Sequence, residues 1–354
     1  MGNNHTRDFR LRLATPVLVC GPDAVQIGLD RRWAMRMGSL SNKEIRWLQA
    51  AARKGNQLRR SAASYSVGES RAIQICATLN RAGLLVDSYS NAPSAQVLLG
   101  RTQRLAAGGI TDLPALSALR PDGQGQTTLD RRALSCVAIT DIGRLGAQVA
   151  LQLASAGVGN LQFTDRAIVG RDDVGPYLSE EVGRPRTVAL QNRFTDIGLE
   201  PDLESTGEPD LTISIETGTQ GAAYFGSLHQ RALPYLAVAV GEAEVEVGPF
   251  VLPSRTACPH CLQLVRAAAD DQWATLLAKI CALPPRPIET VLAAASASYI
   301  AAQALTFIDG GTPSLINALA TFALPELTPA VVTVFPNPLC GCIDANPLTL
   351  SQDF

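Results

Sequence analysis

The sequence shows no obvious apolar run of the roughly 18–20 residues that a membrane span requires. Its start, Met1 to Arg12, is polar and charged, unlike a secretory signal. Both absences lead to the expectation of a cytoplasmic protein with no membrane partner. Charge is also sparse, with 18% of the 354 residues charged against 46% hydrophobic, which allows a sizeable core. A length above about 100–200 residues makes two domains the expectation. Eight cysteines include two close pairs far apart in sequence. In a reducing compartment such pairs suggest metal ligation before disulfides.

The net charge of -2 hides an asymmetry. Through Asp87 there are 14 Lys/Arg and 6 Asp/Glu, hence +8; the remainder holds 16 basic and 26 acidic residues, hence -10. A basic front fits an acidic or nucleic-acid partner, or electrostatic docking of one part of the chain on the other.

Within that front, Pro16 to Val19, Ala24 to Ile27 and Trp33 to Met37 read as three short strands separated by turn residues. Ser41 followed three residues later by Glu44 is a capping-box pattern, opening a helix with Ile45, Leu48 and Ala51 on one face. Gln57 to Ser70 reads as an irregular loop, Ala72 to Arg81 as an amphipathic helix ending at Gly83, and Leu84 to Val86 as a returning strand. This is the outline of a small winged-helix-like α+β domain over residues 1–90. Such domains bind DNA, or bind peptides by adding a strand to a sheet edge. Residues 91–130 read as a linker region, with apolar patches such as Val97 to Leu99 and a solvated spacer from Arg120 to Thr128.

Residues 131–354 open on a βαβ pattern. Val137 to Thr140 suits a buried parallel strand, Asp141-Ile-Gly143-Arg-Leu-Gly146 a tight turn, and Ala147 to Ala156 a helix ended by Gly157. In a nucleotide-binding turn, glycines permit the bend, the approach of a phosphate and helix packing. Here the first glycine position is Asp141, whose carboxylate would repel a phosphate. Cys258-Pro-His-Cys261 and Cys340-Gly-Cys342 can supply four thiolates to a closed, structural tetrahedral Zn²⁺ site, with His260 a bystander. Cys281 lacks a strongly basic neighbour other than Lys279, and Cys20, Cys76 and Cys136 read as small core residues.

Ala156-Gly157-Val158-Gly159, Asp165 and Val182-Gly183-Arg184-Pro185-Arg186 resemble the ThiF/MoeB superfamily of ubiquitin-activating-type adenylyltransferases, over roughly Arg131 to Asp344. Gly241 to Cys261, Trp273 to Leu277 and Asn337 to Cys342 bring the chain nearest to the ThiF-like cyclodehydratase scaffold proteins of thiazole/oxazole-modified peptide biosynthesis. The front domain, through Gly38-Ser39-Leu40-Ser41 and Ala82-Gly83-Leu84-Leu85, resembles the PqqD-like leader-peptide recognition element. The resemblance implies a doubly wound, Rossmann-like ThiF-type domain with a Cys₄ zinc site. It also implies nucleotide contacts at Gly143, Gly146, Asp165 and Arg186, and zinc ligands Cys258, Cys261, Cys340 and Cys342.

Several family positions have departed. Ala167 stands where active members have an Asp, Gly170 to Tyr177 replaces their Ser-Asn-Leu-x-Arg-Gln segment, and Glu216-Thr217-Gly218 replaces their Mg²⁺-binding Asp. The family's adenylyl chemistry needs cations for the phosphates and acids for the metal, so ATP/Mg is doubtful here and no catalytic residue is assigned. The expected function is a scaffold or binding protein recruiting a peptide or small protein through residues 1–90 for a separate modifying enzyme, as a homodimer. The alternatives are an active ATP-dependent adenylyltransferase of the ubiquitin-like-modifier or sulfur-carrier type, and a DNA-binding regulator supported only by the basic front.

Overall fold

The computed structural model describes residues 9–12, 14–55, 57–87, 110–119, 125–219 and 228–343. Val97 to Leu99 and most of the expected linker region, with the first part of its spacer, lie outside the described residues. The chain divides into two compact units, Met1–Asp130 and Arg131–Phe354.

In the first unit, β1 (Phe9–Leu11) precedes β2 (Val17–Gly21), β3 (Ala24–Ile27) and β4 (Met35–Met37). The last three form an antiparallel sheet in the order β2-β3-β4. Helix α1 (Asn42–Lys54) starts where Ser41 and Glu44 close the capping box: the Glu44 backbone N–H donates to Ser41 Oγ, and the Ser41 N–H donates to the Glu44 carboxylate at 2.6 Å. Its Ile45, Leu48 and Ala51 are buried, as the 3.6-residue period demands. The stretch read as an irregular loop instead contains α2 (Leu58–Ala62) and a 3-10 turn over Ala63–Tyr65. Packing overrides the polar composition there: Leu58 and Ala62 are buried, and the Leu58 carbonyl accepts from Nε1 of the fully buried Trp47 at 3.1 Å. Helix α3 (Glu69–Arg81) and β5 (Leu85–Asp87) follow, and β5 pairs with β1 rather than with the three-stranded sheet. Cys20, read as a core residue, is exposed at the point where the β2–β3 register shifts, whereas Cys76 and Cys136 are buried.

After α4 (Leu113–Leu119), helix α5 (Gly125–Leu134) occupies residues expected in part as spacer; among them Thr128 and Leu129 are buried. The second unit then places β6 (Cys136–Ile139), α6 (Arg144–Ser155) and β7 (Asn160–Phe163) as the predicted βαβ element. Helix α7 (Arg186–Asp196) and strands β8 (Leu211–Thr217), β9 (Tyr235–Val240) and β10 (Glu244–Val251) follow. The chain continues through α8 (Pro259–Ala269), α9 (Trp273–Cys281) and α10 (Thr290–Ile308) to β11 (Ala318–Ala323) and β12 (Ala330–Thr333).

One seven-stranded sheet results, in the order β12-β11-β10-β9-β8-β6-β7. The β7-β6-β8-β9 half is parallel and the rest antiparallel. Strand β9 is buried on both faces: Leu236, Val238 and Val240 join the main core, while Tyr235 and Ala237 pack with Cys258, Cys261 and Cys342.

Contrary to the expectation from hydropathy, α10 is long and apolar enough to match a membrane span, with 19 residues and none charged. About half of its most apolar stretch is buried. Leu292, Ala293, Ile300 and Ala304 enter the main core, and the Phe307 ring lies 5.1 Å from that of Phe250 on β10.

Candidate functional site

Strand order reverses at β6: the chain passes from β6 to β7 on one side and returns to β8 on the other. The crevice at the carboxyl ends of β6 and β8 is the usual ligand position in such sheets. A solvent-open cleft of about 480 Å³ lies there, with Asp141, Asp173, Arg186, Glu216 and Ile288 among its lining residues.

The turn after β6 is held closed by its glycines. A Cβ on Gly146 would overlap the Asp141 carbonyl oxygen, so this position must be glycine for α6 to sit against the turn. A Cβ on Gly143 would meet Asp141, Arg186 and Asp173 atoms at 3.0–3.1 Å. Gly143, Gly146, Asp165 and Arg186 are brought to one place.

What fills that place is carboxylate from the chain itself. The backbone N–H of Ile142 donates to Asp165 Oδ2 at 3.0 Å, that of Gly143 to Asp141 Oδ1 at 2.8 Å, and that of Arg144 to Asp173 Oδ1 at 3.1 Å. Gly143 and Arg144, the N-cap and first residue of α6, are two of the donors that a helix N-terminus offers to an anion, and Ile142 precedes them. Arg186 stands among the same three acids, with its NH1 2.8 Å from Asp165 and 3.4 Å from Asp141, and its Nε 3.0 Å from Asp173. Asp173 also accepts from Gly170 N–H at 2.8 Å, and the Tyr177 hydroxyl donates to the Ile142 carbonyl at 2.6 Å.

Asp141 and Asp165, which share one guanidinium, shift in opposite directions. Burial raises the Asp141 carboxyl above the ordinary aspartate range, assisted by Asp165 and Asp173, despite the Gly143 N–H and Arg186. Burial would raise Asp165 as well, but the Ala167 N–H, Arg186 and the Ile142 N–H together hold it below that range. Burial works against the charge on Arg186, and the acids more than restore it. Arg144, which might have compensated Asp141, instead donates to the Val174 carbonyl at 2.6 Å and the Ile288 carbonyl at 3.1 Å.

Asp173 was not singled out from the sequence. Its signal was the Gly170-x-x-Asp173 turn, in a segment read only for what it lacked. Glu216 and Thr217 are the last residues of β8. Burial and then the Glu216 carboxylate raise the Cys281 thiol, opposite to the activation a nucleophile needs.

The second cluster is sulfur. Cys258 and Cys261 flank the first turn of α8, and Cys340 and Cys342 return from the chain after β12. The four Sγ atoms lie within 4.8 Å of one another, with Cys258–Cys340 and Cys261–Cys342 at 3.4 Å and Cys258–Cys261 at 4.0 Å. These separations are too long for disulfides. They bracket the roughly 3.8 Å edge of a tetrahedron with Zn–S bonds of about 2.3 Å. Burial and the adjoining Cys258 push the Cys340 thiol up to about 12. A bound cation is therefore what four thiolates here require, and the donor set fits a closed, structural metal site. His260 is exposed and outside the group.

No model of a known protein family matches the sequence. Protein HesA (vegetative) of Trichormus variabilis is 25% identical over 238 residues, covering 62% of this chain and 85% of HesA. Among solved structures, Escherichia coli MccB with ATP has a TM-score of 0.65 at 13% identity, covering 95% of this chain and 99% of MccB. The microcin C7 biosynthetic enzyme MccB in complex with N-formylated MccA gives 0.67 at 14%, again covering 95% and 99%. PaaA gives 0.63 at 15%, covering 92% of this chain and 99% of PaaA. These likenesses meet in one architecture: the protein shares the fold of MccB and PaaA.

Proposed function

We propose that this protein is a ThiF-type scaffold that does not activate carboxylates with ATP and that recruits a peptide or small protein, through residues 1–90, to a separate modifying enzyme. The observation that carries the reading is the self-filled turn. Ile142, Gly143 and Arg144 N–H are occupied by Asp165, Asp141 and Asp173, and Arg186 is paired to all three acids. A phosphate entering there would have to displace a carboxylate and face its charge. At an effective dielectric of about 20, two unit charges about 4 Å apart interact by roughly 4 kcal/mol, about three decades in affinity. The recruitment half of the reading is supported by the structure of MccB solved with N-formylated MccA and by β2 and β4, which among the described residues are the edge strands of their sheet, the kind of element to which a peptide strand adds.

In this reading Cys258, Cys261, Cys340 and Cys342 hold one structural zinc that ties the chain after β12 to α8. A homodimer is supported by β12, an uncharged edge strand with Val331 and Val332 at 55% and 54% exposure.

The adenylyltransferase reading draws on the likeness to MccB with ATP. Calorimetric titration of the full chain with Mg-ATP, together with ATP–pyrophosphate exchange, separates the two. The scaffold reading expects no binding in the micromolar range and no exchange; robust exchange with a carboxylate substrate would overturn it.

A further inference from the structure

The four thiols of the sulfur cluster sit on two stretches of chain. Cys258 and Cys261 follow the turn after β10, and Cys340 and Cys342 follow β12, with 82 positions between Cys258 and Cys340. Each stretch is shaped in part by its own neighbours. The Thr256 hydroxyl accepts from Leu252 N–H at 2.8 Å, and Asn337 accepts from Leu339 N–H through Oδ1 and from Cys340 N–H through its carbonyl, both at 2.9 Å. Local turns of this kind cannot set the distance from one stretch to the other, and ligands are held precisely only when the residues around them are themselves fixed.

Asn317, the residue before β11, touches both stretches. Its Oδ1 accepts from Ala257 N–H at 2.8 Å, immediately before Cys258, and its carbonyl accepts from Val334 N–H at 2.8 Å, on the way to Cys340. Ala257 and Val334 are buried in the same cluster as the sulfurs. Because the group facing Oδ1 is a backbone N–H, the orientation of the amide is fixed by its partner. Asn317 is in turn seated on the sheet: Phe250 N–H of β10 donates to the Leu315 carbonyl at 2.9 Å, and Ile316 bridges to Phe250. Its φ of 53° lies in the left-handed region, which glycine enters freely and asparagine more readily than most residues. Glycine would serve the backbone alone; asparagine adds the acceptor. Two further ties join the stretches, the Ser254–Ile343 bridge and the Asn337 N–H that donates to Cys261 Sγ at 3.3 Å.

We propose that Asn317 is a positioning residue of the sulfur site, bracing the Cys258 and Cys340 stretches through its Oδ1 and its carbonyl so that the four thiols stand gathered before a metal binds. The assignment rests on the reading of the four cysteines as one zinc site and goes beyond it, since Asn317 lies outside the ligand set. Removing such an outer partner costs about 10–100-fold in metal affinity.

Two variants separate the brace from the backbone. Asn317→Gly keeps the left-handed turn and the carbonyl and removes Oδ1; Asn317→Asp keeps an acceptor at the same reach. In the zinc-loaded full chain, release of zinc to excess chelator should be about ten- to hundredfold faster for Asn317→Gly, and Asn317→Asp should return most of the way to the wild-type rate. In the metal-free chain, hydrogen exchange of the Ala257 amide should rise roughly three- to tenfold in Asn317→Gly and fall back in Asn317→Asp, with β6 to β8 unchanged in both. Zinc release from Asn317→Gly at the wild-type rate, or from Asn317→Asp as fast as from Asn317→Gly, would overturn the brace while the zinc reading stands. A wild-type chain that retains no zinc would overturn both.

Discussion

Asp173 grips Arg186 along one guanidinium edge, Nε to Oδ2 at 3.0 Å and NH2 to Oδ1 at 3.1 Å, while the same carboxylate caps the first turn of α6 through Arg144 N–H. A bidentate pair of this kind fixes orientation as well as charge. It holds the Gly170–Val174 turn, the start of α7 and the start of α6 in one place. Asp173→Ala would leave Arg186 short of its best partner and two backbone donors unsatisfied. Breaking a buried pair from one side costs about 3–5 kcal/mol. Chemical denaturation should show a loss of that order, and Asp173→Asn, whose single oxygen can accept only one of the two backbone bonds while its amide faces the other donor, should recover only part of it.

The acid response of this cluster has two limbs. Asp165 is depressed in the folded state, so its stabilisation is complete above the unfolded aspartate value of about 3.9 and is lost as pH falls through the lower folded value. Asp141 is raised, so its penalty is complete at neutral pH and lifts as pH falls through that raised value. Urea midpoints of the second unit should therefore hold level or rise slightly on acidifying from neutrality, then drop below about pH 4. Asp141→Asn should remove the upper limb and leave the drop; a variant with an unchanged upper limb would contradict the assignment.

The purified chain should carry one zinc, released by strong chelators and counted by a colorimetric assay. Cys342→Ser or Cys258→Ser should abolish its retention. Small metal-dependent folds gain roughly 10–16 kcal/mol from zinc, but here the main core packs separately from the sulfur cluster. Demetallation should therefore lower the melting temperature and speed hydrogen exchange around 254–262 and 334–343, leaving β6 to β8 protected.

In the first unit, Ser41→Ala removes the side chain that accepts from Glu44 N–H. The expected cost is about 1 kcal/mol, read as a shift in the unfolding of that unit. Glu44→Ala should cost more. Its carboxylate accepts from Ser41 N–H at 2.6 Å and pairs with Arg71 at 2.8 Å, and these partners outweigh burial to hold it below the usual glutamate range.

The sequence by itself determined the local elements whose signals are short range. The capping box at Ser41, the apolar period of α1, the strand-turn-helix at Val137 to Ala156 and the pairing of two cysteine knuckles depend on neighbours within a turn or on thiol chemistry. Tertiary structure decided whatever depends on contacts distant in the chain. Residues 58–65 are helical because Leu58 and Ala62 find a core that polar composition does not announce, and Cys20 is exposed at the point where the β2–β3 register shifts. The 19 uncharged residues of α10 pack onto a sheet, which hydropathy cannot distinguish from lipid. Above all, Asp141, Asp165, Asp173 and Arg186 lie at intervals of 8 to 24 residues, and only the reversal of strand order at β6 brings three carboxylates onto the donors of one glycine turn. An acid at the first glycine position was legible as repulsion; its role as one of three internal anions came from the fold, because buried N–H groups must find acceptors and these were the nearest.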